Sequence, residues 1–187
     1  STDLLDFLRD AGYVFRLNAC DDSIEVNGER MTDLLRAEIR CRLRDAGYGK
    51  YLAAAEDAYL AHAKQQAYHP VQEYLENLTW QGEPAIARLS ACFSDTHGVF
   101  PIYLRKWLIG AVARAFTGCQ NTMLVLDGAQ GLGKSEFVRW LCPLPTLFSD
   151  SSINPDDKDD KLKAMQTWVW EVKELGSTIR RADVESL

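Results

Sequence analysis

Apolar residues recur along the first third of the chain at two spacings, and the switches between them mark the predicted elements. Leu4, Leu5, Leu8 and Ala11 form one helical face that Gly12 ends, and residues 13–17 read as a strand. Residues 23–26 alternate, Asn27-Gly28 is a turn pair suited to positive φ, and residues 29–31 return, which predicts a β-hairpin. Thr32 then caps a helix that ends at Gly47, with Leu35, Ile39, Leu43 and Ala46 as its buried arc. An alanine-rich helix over residues 51–67 suits close packing. His69-Pro70 closes it, because proline disfavours helix in the residue before it.

Beyond His69 the pattern changes to short helices opened by prolines, over residues 70–78, 84–92 and 101–116, the last ended by Gly118. The third is apolar on most sides (Ile102, Leu104, Trp107, Leu108, Ile109, Val112, Ala115, Phe116), which predicts deep packing against a sheet. Residues 122–127 are the expected strand, 134–141 a helix stopped by Pro143 and Pro145, and 145–150 a loop or short strand. Asn154-Pro155 opens a helix to about Met165, and Asp156, Asp157, Asp159 and Asp160 read as its solvated, acidic start. Residues 167–175, Thr-Trp-Val-Trp-Glu-Val-Lys-Glu-Leu, read as a central strand covered on both faces and ending in acid.

The expected fold class is α/β: an incomplete P-loop sheet at the C-terminal end, preceded by a mostly helical region with a small N-terminal β-hairpin (α+β). The expected divisions are a small α+β domain over 1–68, a helical linker or collar over 69–118, and the P-loop core over 119–187.

At 187 residues and 47% hydrophobic content the chain can bury a sizeable core. It holds no apolar stretch long enough to span a membrane and no apolar signal region at its start, so a cytoplasmic protein without membrane contact is expected. The start without methionine and the stop within a helical pattern predict a piece excised from a longer protein. A net charge of −6 argues against coating nucleic acid by bulk electrostatics, so charge is read locally. Arg36, Arg40 and Arg44 lie four residues apart on one helix and could follow DNA phosphates; with Glu38 and Asp45 on the same helix, a solvated rim is the alternative. Arg105, Lys106 and Arg114 must reach a surface or a ligand. Five scattered cysteines without C-x-x-C suggest buried thiols rather than disulfides or zinc, and His62 and His69 read as surface or capping residues.

The densest chemistry lies at Gly128-Ala129-Gln130-Gly131-Leu132-Gly133-Lys134-Ser135, which fills every fixed position of G-x-x-x-x-G-K-[ST]. A polyphosphate is wrapped by successive backbone N–H groups, and side chains at the glycines would block its approach. Lys134 would supply a point charge to the β and γ phosphates of ATP, and Ser135 a hydroxyl to Mg²⁺. A dinucleotide fingerprint fails, because Glu136 stands where the third small residue belongs. Glu171, at the end of the second apolar run, fits the carboxylate that meets Mg²⁺, and Glu174 could orient the attacking water as base. A small-molecule kinase is disfavoured, since residues 142–165 supply no arginine for a substrate lid.

These elements together resemble the virulence-associated protein E family, P-loop proteins of phages and mobile elements that are similar to superfamily 3 helicases. The matching stretches are His69-Pro-Val-Gln-Glu-Tyr-Leu, Leu78-Thr-Trp-Gln-Gly, Arg105-Lys-Trp-Leu-Ile-Gly-Ala-Val-Ala-Arg-Ala, the glycine loop, Phe148-Ser-Asp, and Val169-Trp-Glu-Val-Lys-Glu-Leu. Gln81 departs from the aspartate often found there. The resemblance implies an ATPase or DNA helicase in replication, using ATP and Mg²⁺, assembling as a ring and working beside a primase portion. It also implies that later elements of the family, including a γ-phosphate sensor and an arginine acting in trans, lie outside these residues, leaving this stretch weakly active or inactive by itself. The alternative is a nucleotide-responsive DNA-binding or regulatory module without helicase activity.

Overall fold

The computed structural model describes residues 2–152, 154 and 157–173 and divides the chain into two compact units, Ser1–Glu73 and Tyr74–Leu187. Helix and strand are mixed in small sheets, an α+β arrangement.

The first unit builds a four-stranded sheet in the order β3-β2-β1-β4 from β1 (Phe15–Asn18), β2 (Ser23–Val26), β3 (Glu29–Arg30) and β4 (Ala67–Tyr68). The hairpin forms as expected: Val26 faces Glu29 across a two-residue turn in which Asn27 and Gly28 have φ of 55° and 83°. β4 had no periodic signal. It is two residues long and joins the sheet parallel to β1 straight after a helix.

Three helices cover one face: α1 (Thr2–Asp10), α2 (Asp33–Asp45) and α3 (Leu52–Gln65), the last entered through a single 3-10 turn, Gly49–Tyr51. Thr32 caps α2, its hydroxyl accepting from the Leu35 N–H at 3.2 Å. The core joins Leu4 and Leu8 of α1, Phe15 and Val26 of the sheet, Ile39 and Leu43 of α2, and Ala55, Tyr59 and Ala63 of α3. The alanines let α3 lie close to β1, so that the Phe15 and Tyr59 rings stack at 4.7 Å. Ala46 does not join this arc. It is exposed as the C-cap, past the last turn of α2. The sheet's other face is polar: Arg16 lies over the Tyr68 ring and makes two bonds to Glu73, while the Tyr68 hydroxyl donates to Glu25 at 2.6 Å.

α4 (Pro70–Glu76) runs across the division and is capped by a side chain, the His69 Nδ1 accepting from the Gln72 N–H at 3.4 Å. That occupied Nδ1 places the ring proton on Nε2, which lies 3.4 Å from the Cys20 thiol.

The second unit holds α5 (Ala85–Ser90), α6 (Phe100–Thr117), α7 (Lys134–Trp140), β5 (Phe148–Ser149), α8 (Lys158–Gln166) and β6 (Val169–Trp170). α6 organises it through backbone carbonyls. The Asn121 amide donates to the Trp107 carbonyl at 2.9 Å and the Trp168 indole to the Ala111 carbonyl at 3.1 Å. Arg114, whose destination the sequence left open, donates to the Ala164 carbonyl at 3.0 Å, in the last turn of α8.

Five further expectations need correction. α6 is not packed on most sides: Leu104, Ala111 and Ala115 form a narrow buried stripe, whereas Ile102, Ile109, Val112 and Phe116 are exposed among the described residues. Residues 122–127 form no strand, because no neighbouring chain segment among the described residues offers them a ladder; Met123 and Val125 are exposed. The acidic run supplies a strand only at Val169–Trp170, paired on one side with β5, so it is not central among the described residues. Cys41, Cys92 and Cys119 are exposed on outward helix and turn positions, and only Cys142 is buried. α8 opens at Lys158 with Asp157 as its cap, and Asp156 lies outside the described residues. Among the described residues, no helix is long and apolar enough to cross a membrane.

Candidate functional site

The glycine loop runs from residue 128 to the start of α7. Gly128, Gly131 and Gly133 have φ of 144°, 83° and 78°, a region that side chains with a Cβ rarely adopt, so the glycines are required by the backbone path itself. A Cβ added at Gly131 or Gly133 would meet no protein atom within 4 Å, so there is open space beside the loop at these two positions. Gln130 and Leu132 are exposed between them.

Lys134 folds back over this loop. Its Nζ donates to the Gly128 carbonyl at 2.7 Å and to the Ala129 carbonyl at 2.8 Å, which holds one positive charge over the first two loop residues. Ser135 is exposed in the first turn of α7. The helix is seated by Phe137, whose ring meets Phe93 edge-on at 4.7 Å, with the Phe100 ring tilted against Phe93 at 4.3 Å.

Glu171 follows β6, and its N–H donates to the Ser149 carbonyl at 2.8 Å, extending the parallel pairing by one bond. Its Oε2 is buried and has no hydrogen-bond partner among the described residues. A buried carboxylate oxygen with no donor is costly unless a proton or cation satisfies it, so its chemistry fits a hard divalent cation such as Mg²⁺. Glu174 lies outside the described residues.

Beside Glu171 stands a group that sequence spacing did not single out. Asp150, directly after β5, accepts from Lys173 Nζ at 2.6 Å and from Arg139 Nη2 at 3.3 Å, both on Oδ2. The hydrogen bond and charge of Lys173 hold the Asp150 carboxyl below the ordinary carboxylate range. Asp150 in turn raises the Lys173 ammonium. Arg139 lies on α7 four residues after Ser135, on the same helix face. Through Asp150 the structure therefore ties the helix leaving the glycine loop to the carboxyl ends of β5 and β6. The three residues are 11 and 23 positions apart along the chain, which is why no local pattern announced them.

The arginine stripe of α2 belongs to the other unit and is not uniform. Arg36 is half-buried and pairs with Glu56 of α3 at 3.6 Å, so it holds helix to helix. Arg40 and Arg44 are exposed without an ion pair among the described residues, while neighbouring Arg42 pairs with Glu38 at 3.4 Å.

The family model of the Virulence-associated protein E-like domain matches residues 75–187, more than half of the chain. No curated protein matches the sequence. The matched segment contains the glycine loop, Asp150 and Glu171, and the chain belongs to the virulence-associated protein E-like domain family.

Proposed function

We propose that the chain carries the ATP-binding P-loop of a replication ATPase of the phage or mobile-element type, which hydrolyses ATP in the whole protein to act on DNA. The observation that carries this reading is the glycine loop, where three positive-φ glycines, with open space beside Gly131 and Gly133, are followed by Lys134, whose ammonium bonds to the Gly128 and Ala129 carbonyls. Among the described residues Lys134 is held there by neutral carbonyls, so a polyphosphate oxygen is the stronger acceptor and would draw the ammonium to itself. Backbone N–H groups of residues 128–133 would bind the phosphates. Ser135 and Glu171 would hold Mg²⁺, which supplies charge neutralisation at the β and γ phosphates. Glu174 would position the attacking water, the role its place three residues after Glu171 assigns.

Partners in this reading are DNA, further copies of the chain in a ring, and a primase portion, acting in the cytoplasm. On α2, the exposure of Arg40 and Arg44 supports DNA contact there, with Arg36 committed to Glu56. It equally favours a second reading, in which nucleotide binding regulates DNA binding without hydrolysis. Steady-state ATP hydrolysis by the natural full-length protein, with and without DNA, separates the two. The lead reading expects turnover that Lys134→Ala abolishes; turnover unchanged in that variant would overturn it, and DNA binding without turnover would favour the second.

A further inference from the structure

β5 and β6 run parallel in the register Ser149 to Trp170, so the next residues, Asp150 and Glu171, follow side by side at the carboxyl ends of the pair. The cations nearby are shared out unequally between these two carboxylates. Lys173 and Arg139 both bond to Asp150, although Lys173 stands only two residues from Glu171. Glu171 Oε2 is left buried without a donor among the described residues.

Resting on the P-loop reading above, we propose that Asp150 is a positioning residue that retains Lys173 and Arg139 and so keeps Glu171 free for the divalent cation that accompanies the nucleotide. An ammonium and Mg²⁺ compete for the same carboxylate oxygens, and a Lys173 released from Asp150 has Glu171 as its neighbouring anion. The bond to Arg139 adds a second effect: it ties α7, and with it Ser135, to the end of β5, the strand paired with the one that leads into Glu171.

The test is Mg²⁺-dependent binding of a fluorescent ATP analogue, N-methylanthraniloyl-ATP, to the whole chain, titrating Mg²⁺ at fixed nucleotide. Asp150→Asn is expected to raise the Mg²⁺ concentration at half-maximal binding about three- to fivefold, the size of one partly exposed charge pair. Binding without Mg²⁺ is expected to stay within about twofold of wild type, and the melting temperature within a few degrees. In the double variant Asp150→Asn/Lys173→Met the Mg²⁺ requirement returns toward that of wild type, because no ammonium is left to occupy Glu171. Lys173→Met alone, which keeps Asp150 and serves if Asp150→Asn folds poorly, requires no more Mg²⁺ than wild type; a higher requirement would overturn the proposal. An unchanged Mg²⁺ midpoint in Asp150→Asn, or equal weakening with and without Mg²⁺ that Lys173→Met does not rescue, overturns it while leaving the P-loop reading intact. Absence of nucleotide binding by the wild-type chain removes both.

Discussion

The two units divide their apolar residues differently. In the first, helices and sheet close on a single core, and only Val14, Leu34 and Tyr51 among its described large hydrophobics are exposed. In the second, Ile102, Ile109, Val112 and Phe116 of α6 are exposed, together with Met123, Val125, Leu132 and Trp140 around the glycine loop. Beside the Phe93, Phe100 and Phe137 rings that seat α7, the second unit's candidate site is held by a small set of directed bonds: Asn121 and Trp168 to carbonyls of α6, Arg114 to a carbonyl of α8, and Asp150 between Arg139 and Lys173. Packing thus sustains one unit, and named polar contacts position the chemistry in the other. Loops that carry chemistry are commonly set in place this way.

The largest expected effect lies in the first unit. Leu43 is 1% exposed, and Leu43→Ala should cost about 2–5 kcal/mol in urea unfolding, whereas Ile109→Ala on the exposed side of α6 should stay within about 0.5 kcal/mol. Similar losses at both positions would erase the contrast between the units.

A smaller effect, with a sign that depends on its partner, is expected where the lead-in to the glycine loop meets α6. A Cβ at Gly110 would sit 1.9 Å from Asn121 Oδ1, so Gly110→Ala must displace the side chain that bonds to the Trp107 carbonyl. That should destabilise the second unit by about 1–2 kcal/mol. In an Asn121→Ala background the obstruction is gone, and the same substitution should stabilise by up to about 1 kcal/mol through helix propensity. A thermal-melting cycle reads both values, and a loss in both backgrounds would mean that Asn121 is not what Gly110 accommodates.

The smallest effect is a pH dependence at His69. Burial lowers the pKa of its ring from the ordinary 6.5, so folding favours the neutral form that caps α4. The cap is therefore at full strength above about pH 6.5, weakens as pH falls toward the lower folded value, and is lost beneath it. Unfolding from pH 7.5 down to 5 should show a loss of less than about 1 kcal/mol that His69→Asn, a cap that does not titrate, lacks. An identical pH profile in both proteins would remove His69 from the account.

Legibility in the sequence followed the range of each interaction. The Asn27-Gly28 turn, the Thr32 cap and the glycine loop are local devices whose residues stand within a few positions of one another, and each was readable. Glu171 stood out because an apolar run ended in acid, and the structure buries its Oε2. β4 and β5 were not readable, since two residues carry no period and take their identity from the strands beside them. The apolar content of α6 was plain, but which of its faces is covered depends on neighbours distant in sequence. The strand expected over 122–127 failed for the same reason, as a strand exists through its ladder rather than its composition. Asp150 was visible only as part of a family-like stretch, because its partners at 139 and 173 obey no helical or strand spacing.

The central claim is that the loop over residues 128–135 binds ATP through Lys134, and calorimetric titration of the chain with ATP and Mg²⁺ tests it most directly. Saturable one-site binding is expected in the wild type. Lys134→Ala should weaken it by about ten- to a hundredfold, the worth of one charge-assisted contact to phosphate. Equal affinity in the two proteins, or no binding in the wild type, would contradict the account.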